Sequence, residues 1–197
     1  MKVAGLLLAA GSSRRLGQPK QLLPFQGGTL LDASLDVVRN APVDRRFATV
    51  GGAAPEVLEA TDFSDFTVVE SVHHTNGCSS SIVSALDQLN DFDGFMLFLG
   101  DQPGVQASTI EQVLHAARAG HPIVVCRYQD GIGHPFFFAK DTFDVLSDIH
   151  GDKAVWKVIE SGEFEVYEEN IDRDVPLDVD TWEDYERLLA SVGGSIS

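Results

Sequence analysis

A chain of 197 residues with 44% hydrophobic side chains and 12 phenylalanines is long and apolar enough for one packed domain. Its net charge of −16 argues against general nucleic-acid binding, which needs a basic face. No apolar run reaches the length of a membrane span, and two cysteines (Cys78 and Cys126) make no disulfide scaffold, so the cytosol is the expected compartment. Lys2 is a lone charge, and the apolar run after it leads straight into Gly, Ser and Arg, which is not the pattern of a signal peptide.

In chain order, 3–8 reads as a fully buried strand and 29–39 as a helix, with Leu30, Leu31, Leu35 and Val38 on one face. Short strands follow at 47–50 and 67–69. The 79–89 stretch places Ile82, Ala85, Leu86 and Leu89 at helical spacing. Gly-Phe-Met-Leu-Phe-Leu at 94–99 is the strongest buried strand. A helix is expected at 107–119, strands at 122–126 and 135–139, and helices at 141–146, 153–160 and 181–189. Strands separated by helices predict an α/β, Rossmann-like three-layer sandwich with a mainly parallel mixed sheet, whose ligands lie at the carboxyl ends of the strands. One domain is expected over 1–190, with a loose Gly- and Ser-rich tail at 191–197.

Chemistry concentrates after the first strand, in Leu8-Ala9-Ala10-Gly11-Ser12-Ser13-Arg14-Arg15-Leu16-Gly17-Gln18-Pro19-Lys20. Small residues let backbone N–H groups approach phosphate oxygens. Arginine adds a fork of donors and lysine a mobile point charge. The stretch is neither a P-loop nor a dinucleotide fingerprint, because Gln18 and Pro19 separate Gly17 from Lys20 and no Gly-x-Gly-x-x-Gly occurs. Asp101, just past the 94–99 strand, is placed to ligate a divalent cation beside that loop. Ser79, Ser80 and Ser81 open a helix, where a hydroxyl can cap or bind a base or ribose. Gly131 and Gly133 allow close ligand approach, and His134 can donate a hydrogen bond. Asp180 either caps the last helix or returns to the metal site as a second carboxylate. His73 and His74 read as loop residues, and no base is placed beside Cys78 to make it a nucleophile.

Taken together, these motifs resemble the MobA-like NTP transferases, and within them the molybdenum cofactor cytidylyltransferase branch. The residues that carry the resemblance are 8–20 with Gln21-Leu22-Leu23, Thr29-Leu30-Leu31, Gly77–Ser81, Asp101-Gln102-Pro103, Gly133-His134-Pro135 and Asp178–Asp184. It covers essentially the whole chain. It implies a fold of the nucleotide-diphospho-sugar transferase type and a Mg²⁺-dependent transfer of a nucleotide from an NTP to an acceptor phosphate, with release of pyrophosphate. Leu8, Ala9, Ala10, Gly11, Ser12, Ser13, Arg14, Lys20 and Ser79–Ser81 would then bind the nucleotide. Arg14, Lys20 and Asp101 would be catalytic, Asp101 and Asp180 would hold the metal, and Gln102, Gly133 and His134 would meet the acceptor. Ala9-Ala10-Gly11 leans toward CTP. The expected acceptor is a phosphorylated pterin, molybdopterin or the molybdenum cofactor, passed on to a molybdoenzyme. The chain departs from the family pattern at Ser71, His74, Cys78, Ile132 and Trp182. Guanylyl- or sugar-phosphate-type transfer, and a non-catalytic nucleotide- or pterin-binding accessory role, are the alternatives.

Overall fold

The structure is a computed structural model that describes residues 1–11, 13, 15–71, 78–148, 150, 151 and 154–193. Strand β1 (Val3–Ala9) is buried along nearly its whole length, because parallel neighbours flank it and helices cover both faces. A 3₁₀ turn (Lys20–Leu22) and a small hairpin of β2 (Pro24–Phe25) and β3 (Gly28–Thr29) precede α1 (Leu30–Arg39). Thr29 and Asp32 form a reciprocal capping box at the start of α1, and Leu30, Leu31, Leu35 and Val38 are buried on its inner face.

Next come β4 (Arg45–Val50), α2 (Ala54–Ala60), β5 (Thr67–Glu70), α3 (Cys78–Leu86), β6 (Gly94–Leu99) and α4 (Ala107–Arg118). The remainder is β7 (Ile123–Arg127), β8 (Ile132–Ala139), α5 (Phe143–Ser147), α6 (Ala154–Glu160), β9 (Val166–Asn170) and α7 (Trp182–Gly193). The seven-stranded sheet has the order β5-β4-β1-β6-β8-β7-β9. All its pairings are parallel except those that β8 makes with β6 and β7. Alternate residues of each central strand feed two cores. Val3, Leu7 and Ala9 meet helices α1, α2 and α4, whereas Ala4 and Leu6 meet α3, α5 and α6.

Where β6 crosses β8, no side chain fits at Gly94: a Cβ there would stand 2.5 Å from both Phe137 Cζ and the Phe138 carbonyl oxygen. A third, smaller core lies off the sheet. Leu16, Leu23, Phe25 and Leu30 pack there with Val179 and Leu188 from the far end of the chain. Three elements carry no signal read in the sequence: the β2–β3 hairpin, α2 and β9. Strand β8 starts three residues earlier than expected, so the Gly133-His134 segment lies within it. Helix α7 runs on through 191–193, the first part of the expected tail.

Candidate active site

The parallel strands β1 and β6 end on one edge of the sheet. Because β8 runs the opposite way, its first residues reach that same edge. Residues 171–181 then pass along the edge as a strap. The Ile171 N–H donates to the Arg127 carbonyl (2.9 Å), and the Gln129 N–H donates to that of Arg173 (2.9 Å). Farther on, Gln102 Nε2 donates to the Pro176 carbonyl at 3.2 Å. The strap ends with Val179 fully buried in the third core. This return of the C-terminal segment to the first loop is what brings Asp180 to the site.

The loop after β1 is braced from inside. Gln21 is only 3% exposed, and its amide donates to the carbonyls of Ala9 (2.8 Å) and Gly11 (3.0 Å). Ser13, whose backbone is left-handed at φ 48°, accepts from the Lys20 N–H at 2.9 Å through its hydroxyl. Leu16 pins the outer turn into the third core. Ala9 and Ala10 are buried and Leu8 is half-buried, so the loop opens to solvent at Gly11. Ser12 and Arg14 lie outside the described residues, as do His73, His74 and Gly77.

Lys20 links the loop to the acidic residues. Its ammonium donates to Asp101 Oδ2 and, at 2.9 Å, to Asp180 Oδ1. Arg15, which the resemblance does not assign to the site, donates from Nη2 to Asp180 Oδ2 at 2.7 Å. Burial works against the Lys20 ammonium, yet the charge and hydrogen bonds of Asp101 and Asp180 outweigh it and hold its pKa above the ordinary value. Partial burial likewise disfavours the Asp180 carboxylate, and the bonds from Lys20 and Arg15 reverse this and bring its pKa down. Asp178 stands at the rim. Crowding around its carboxyl, then the negative charges of Asp101 and Asp180, push its pKa up.

The capping alternative for Asp180 is excluded. Asp184 accepts from Thr181 N (2.9 Å) and Thr181 Oγ1 (2.7 Å), while Asp184 N donates back to Thr181 Oγ1 (3.2 Å). Thr181 and Asp184 thus cap α7, which leaves both Asp180 oxygens for the two cations.

No ready set of three His, Cys, Asp or Glu ligands stands among the described residues. One ammonium bridges Asp101 and Asp180, however, so a single cation fits between these two hard oxygen donors. A divalent ion placed there would draw its other ligands from water and phosphate oxygens.

Several of the residues expected to contact ligands have partners or close neighbours within the protein. Gln102, expected at the acceptor, is 5% exposed; its amide N–H₂ is bonded to the strap, and its Oε1 has no partner among the described residues. Gly133 offers no open approach either. A Cβ there would stand 2.8 Å from Val175 Cγ1 and 3.2 Å from Tyr128 Cε2, so the missing side chain makes room for the strap. Of the three serines, Ser79 and Ser81 are buried, and Ser80 is half-exposed. Ser81 Oγ donates to Ser71 Oγ at 3.3 Å, which ties α3 to the end of β5.

His134 is half-buried, with its ring stacked on Phe136 at 4.1 Å between centroids. Burial of the ring pushes its pKa down to about 4, so it is neutral near pH 7 and keeps one N–H donor. Cys126 is free and buried, its thiol pushed up to about 12 by burial, and is no nucleophile.

Comparison with known proteins identifies the family and the fold. Residues 5–167 match the family described as the MobA-like NTP transferase domain. The crystal structure of a homologue of Mycobacterium tuberculosis Rv0371c, from Mycobacterium sp. strain JC1, is 47% identical and covers 98% of this chain and 99% of its own, with a TM-score of 0.91. Rv0371c of Mycobacterium tuberculosis H37Rv in complex with manganese is 44% identical over 97% of this chain and 100% of its own, with a TM-score of 0.85. The bifunctional protein GlmU of Synechococcus sp. (strain RCC307) is 33% identical over 156 residues; the match takes in 75% of this chain and 34% of that longer protein. No described helix is long and apolar enough to cross a membrane. With the family matched over most of its length, the chain belongs to the MobA-like NTP transferase domain family.

Proposed function

We propose that the protein is a nucleotidyltransferase that moves CMP from CTP to the phosphate of a phosphorylated pterin of the molybdenum-cofactor type, in the cytosol, and serves a molybdoenzyme. The observation that carries this reading is the Lys20 ammonium held between Asp101 and Asp180, on the strand-end edge where the glycine-containing loop opens. In this reading a cation for phosphate and carboxylates for a divalent metal stand side by side. The family membership supports it, as do Ala9-Ala10-Gly11 in the cytidylyl form of the motif and a relative whose crystal structure is a manganese complex.

In this reading, backbone N–H groups of 10–13 hold the triphosphate, together with Lys20, Arg15 and Arg14. Asp101 and Asp180 hold Mg²⁺, with Asp178 beside them. When bound, the metal would neutralise negative charge that develops on the phosphates. An acceptor phosphate oxygen attacks the α-phosphorus, a new P–O bond forms, and the bond to the β-phosphate oxygen breaks. Pyrophosphate leaves with the electron pair. The acceptor is already anionic, so no side chain of unusual basicity is needed; the residues position the reactants and stabilise developing charge. In this reading neutral His134 donates to the acceptor without adding charge.

The test is a screen of four NTPs against phosphorylated pterin and sugar-phosphate acceptors, read as pyrophosphate. CTP with the pterin should give the fastest release, and Asp101→Asn should lower it about 10²-fold or more while the protein stays folded. GTP preferred over CTP would end the cytidylyl assignment. Absence of pyrophosphate with every pair would favour the accessory, non-catalytic role.

A further inference from the structure

Among the described residues, the cations this loop offers to phosphate are Lys20 and Arg15, and both are engaged by carboxylates. Lys20 bridges Asp101 and Asp180, and Arg15 takes the second oxygen of Asp180. The Lys20–Asp101 half of the bridge is shielded, with each side chain 14% exposed, whereas Asp180 is 41% exposed. The Lys20 backbone is fixed by the Ser13 hydroxyl, and its stem passes Gly11, within 3.7 Å of where a Cβ would stand. Only the flexible end of the side chain has to move for the ammonium to turn from the carboxylates to the mouth of the loop.

Electrostatics then penalises each half of a metal–nucleotide pair arriving alone. A divalent cation must expel the ammonium and leave it shielded, unpaired and beside a dication. A triphosphate must draw the ammonium away and leave Asp101, Asp180 and nearby Asp178 uncompensated next to a polyanion. The metal–triphosphate complex avoids both costs, because the dication replaces the ammonium at the carboxylates while the ammonium moves to phosphate.

We infer that Lys20 makes the site selective for a metal–triphosphate complex as a single ligand and disfavours free metal and free triphosphate. The inference rests on the nucleotidyltransferase reading, but its test does not use turnover. Mn²⁺ binding without nucleotide is read from the free-ion EPR signal for the wild type, Lys20→Met, Lys20→Arg and Asp101→Asn. Lys20→Met should bind Mn²⁺ about tenfold or more tightly than the wild type, Lys20→Arg should stay weak, and Asp101→Asn should be weaker than the wild type.

In a second arm, inorganic tripolyphosphate is titrated calorimetrically into the wild type with EDTA or with Mn²⁺. The complex should bind at least about tenfold more tightly than tripolyphosphate alone. Lys20→Met binding Mn²⁺ no better than the wild type overturns the inference and leaves the transferase reading standing. Equal tripolyphosphate affinity with and without Mn²⁺ does the same, and decides the matter even if Lys20→Met fails to fold. Asp101→Asn binding Mn²⁺ as well as the wild type overturns the metal site itself.

Discussion

Acidification should expose the burial of His134 directly. An unfolded histidine titrates near 6.5, and this one is held at about 4. The native state therefore resists a proton that the unfolded chain accepts. The stabilising contribution is fully present above pH 6.5 and is lost as pH falls toward 4. Holding the ring at about 4 against 6.5 sets a ceiling of about 3.4 kcal/mol, of which about 2 kcal/mol is gone by pH 5. Carboxylates also titrate in this range, so the informative quantity is a difference. Urea unfolding of the wild type and His134→Gln at pH 7.5 and pH 5 should give a wild-type loss larger by about 2 kcal/mol. The imidazole resonance should titrate near pH 4. Parallel pH profiles for the two proteins, or a titration near 6.5, would show that the ring is hydrated and that its stacking on Phe136 shields nothing.

Two further outcomes follow from geometry. Gly94→Ala should cost more than about 2 kcal/mol in urea unfolding, because the added methyl meets the Phe138 carbonyl and the Phe137 ring at 2.5 Å; an unchanged midpoint would mean that β6 and β8 separate easily. Asp184→Ala should cost about 1 kcal/mol through loss of the α7 cap, and should also weaken Mn²⁺ binding, because the Asp180–Thr181 backbone loses its anchor. A loss of stability with Mn²⁺ affinity unchanged would separate the cap from the site.

How much of this was legible in the sequence depends on what each residue answers to. The buried strands 3–9 and 94–99 announce themselves because both faces are covered, so every position is apolar. Strand β9 does not: Val166-Tyr-Glu-Glu-Asn lies at the sheet edge, and Tyr167 and Glu168 are exposed beside His121 and Arg127. Helix α2 buries little besides Val57, so it leaves no apolar stripe. Lys20 and Asp101 were readable from loop chemistry and strand position, and they do meet. Asp180 required a fold-back that no local pattern encodes. Gln102 and Gly133 also meet the strap, a segment without regular structure, and their sequence context carries no sign of that brace and close packing. Arg15 sits one place beyond the motif arginine, and only the position of Asp180 reveals its partner.

The third core divides the molecule's allegiance. Leu16 of the phosphate-side loop and Val179 of the strap are seated in the same six-residue cluster, whereas Asp101 belongs to the large sheet. Lys20, between Leu16 and Leu23, and Asp180, next to Val179, thus lean on this small raft, which Gln21 ties to β1, and Asp101 is moored to the hull. Small clusters open at lower free energy than large cores. Loosening this one, by trimming Leu188 or Val179, would let the raft drift while the seven-stranded sheet stayed whole. A protein altered there would lose the stability that this burial supplies, and its two banks of charge would no longer face each other across a fixed gap.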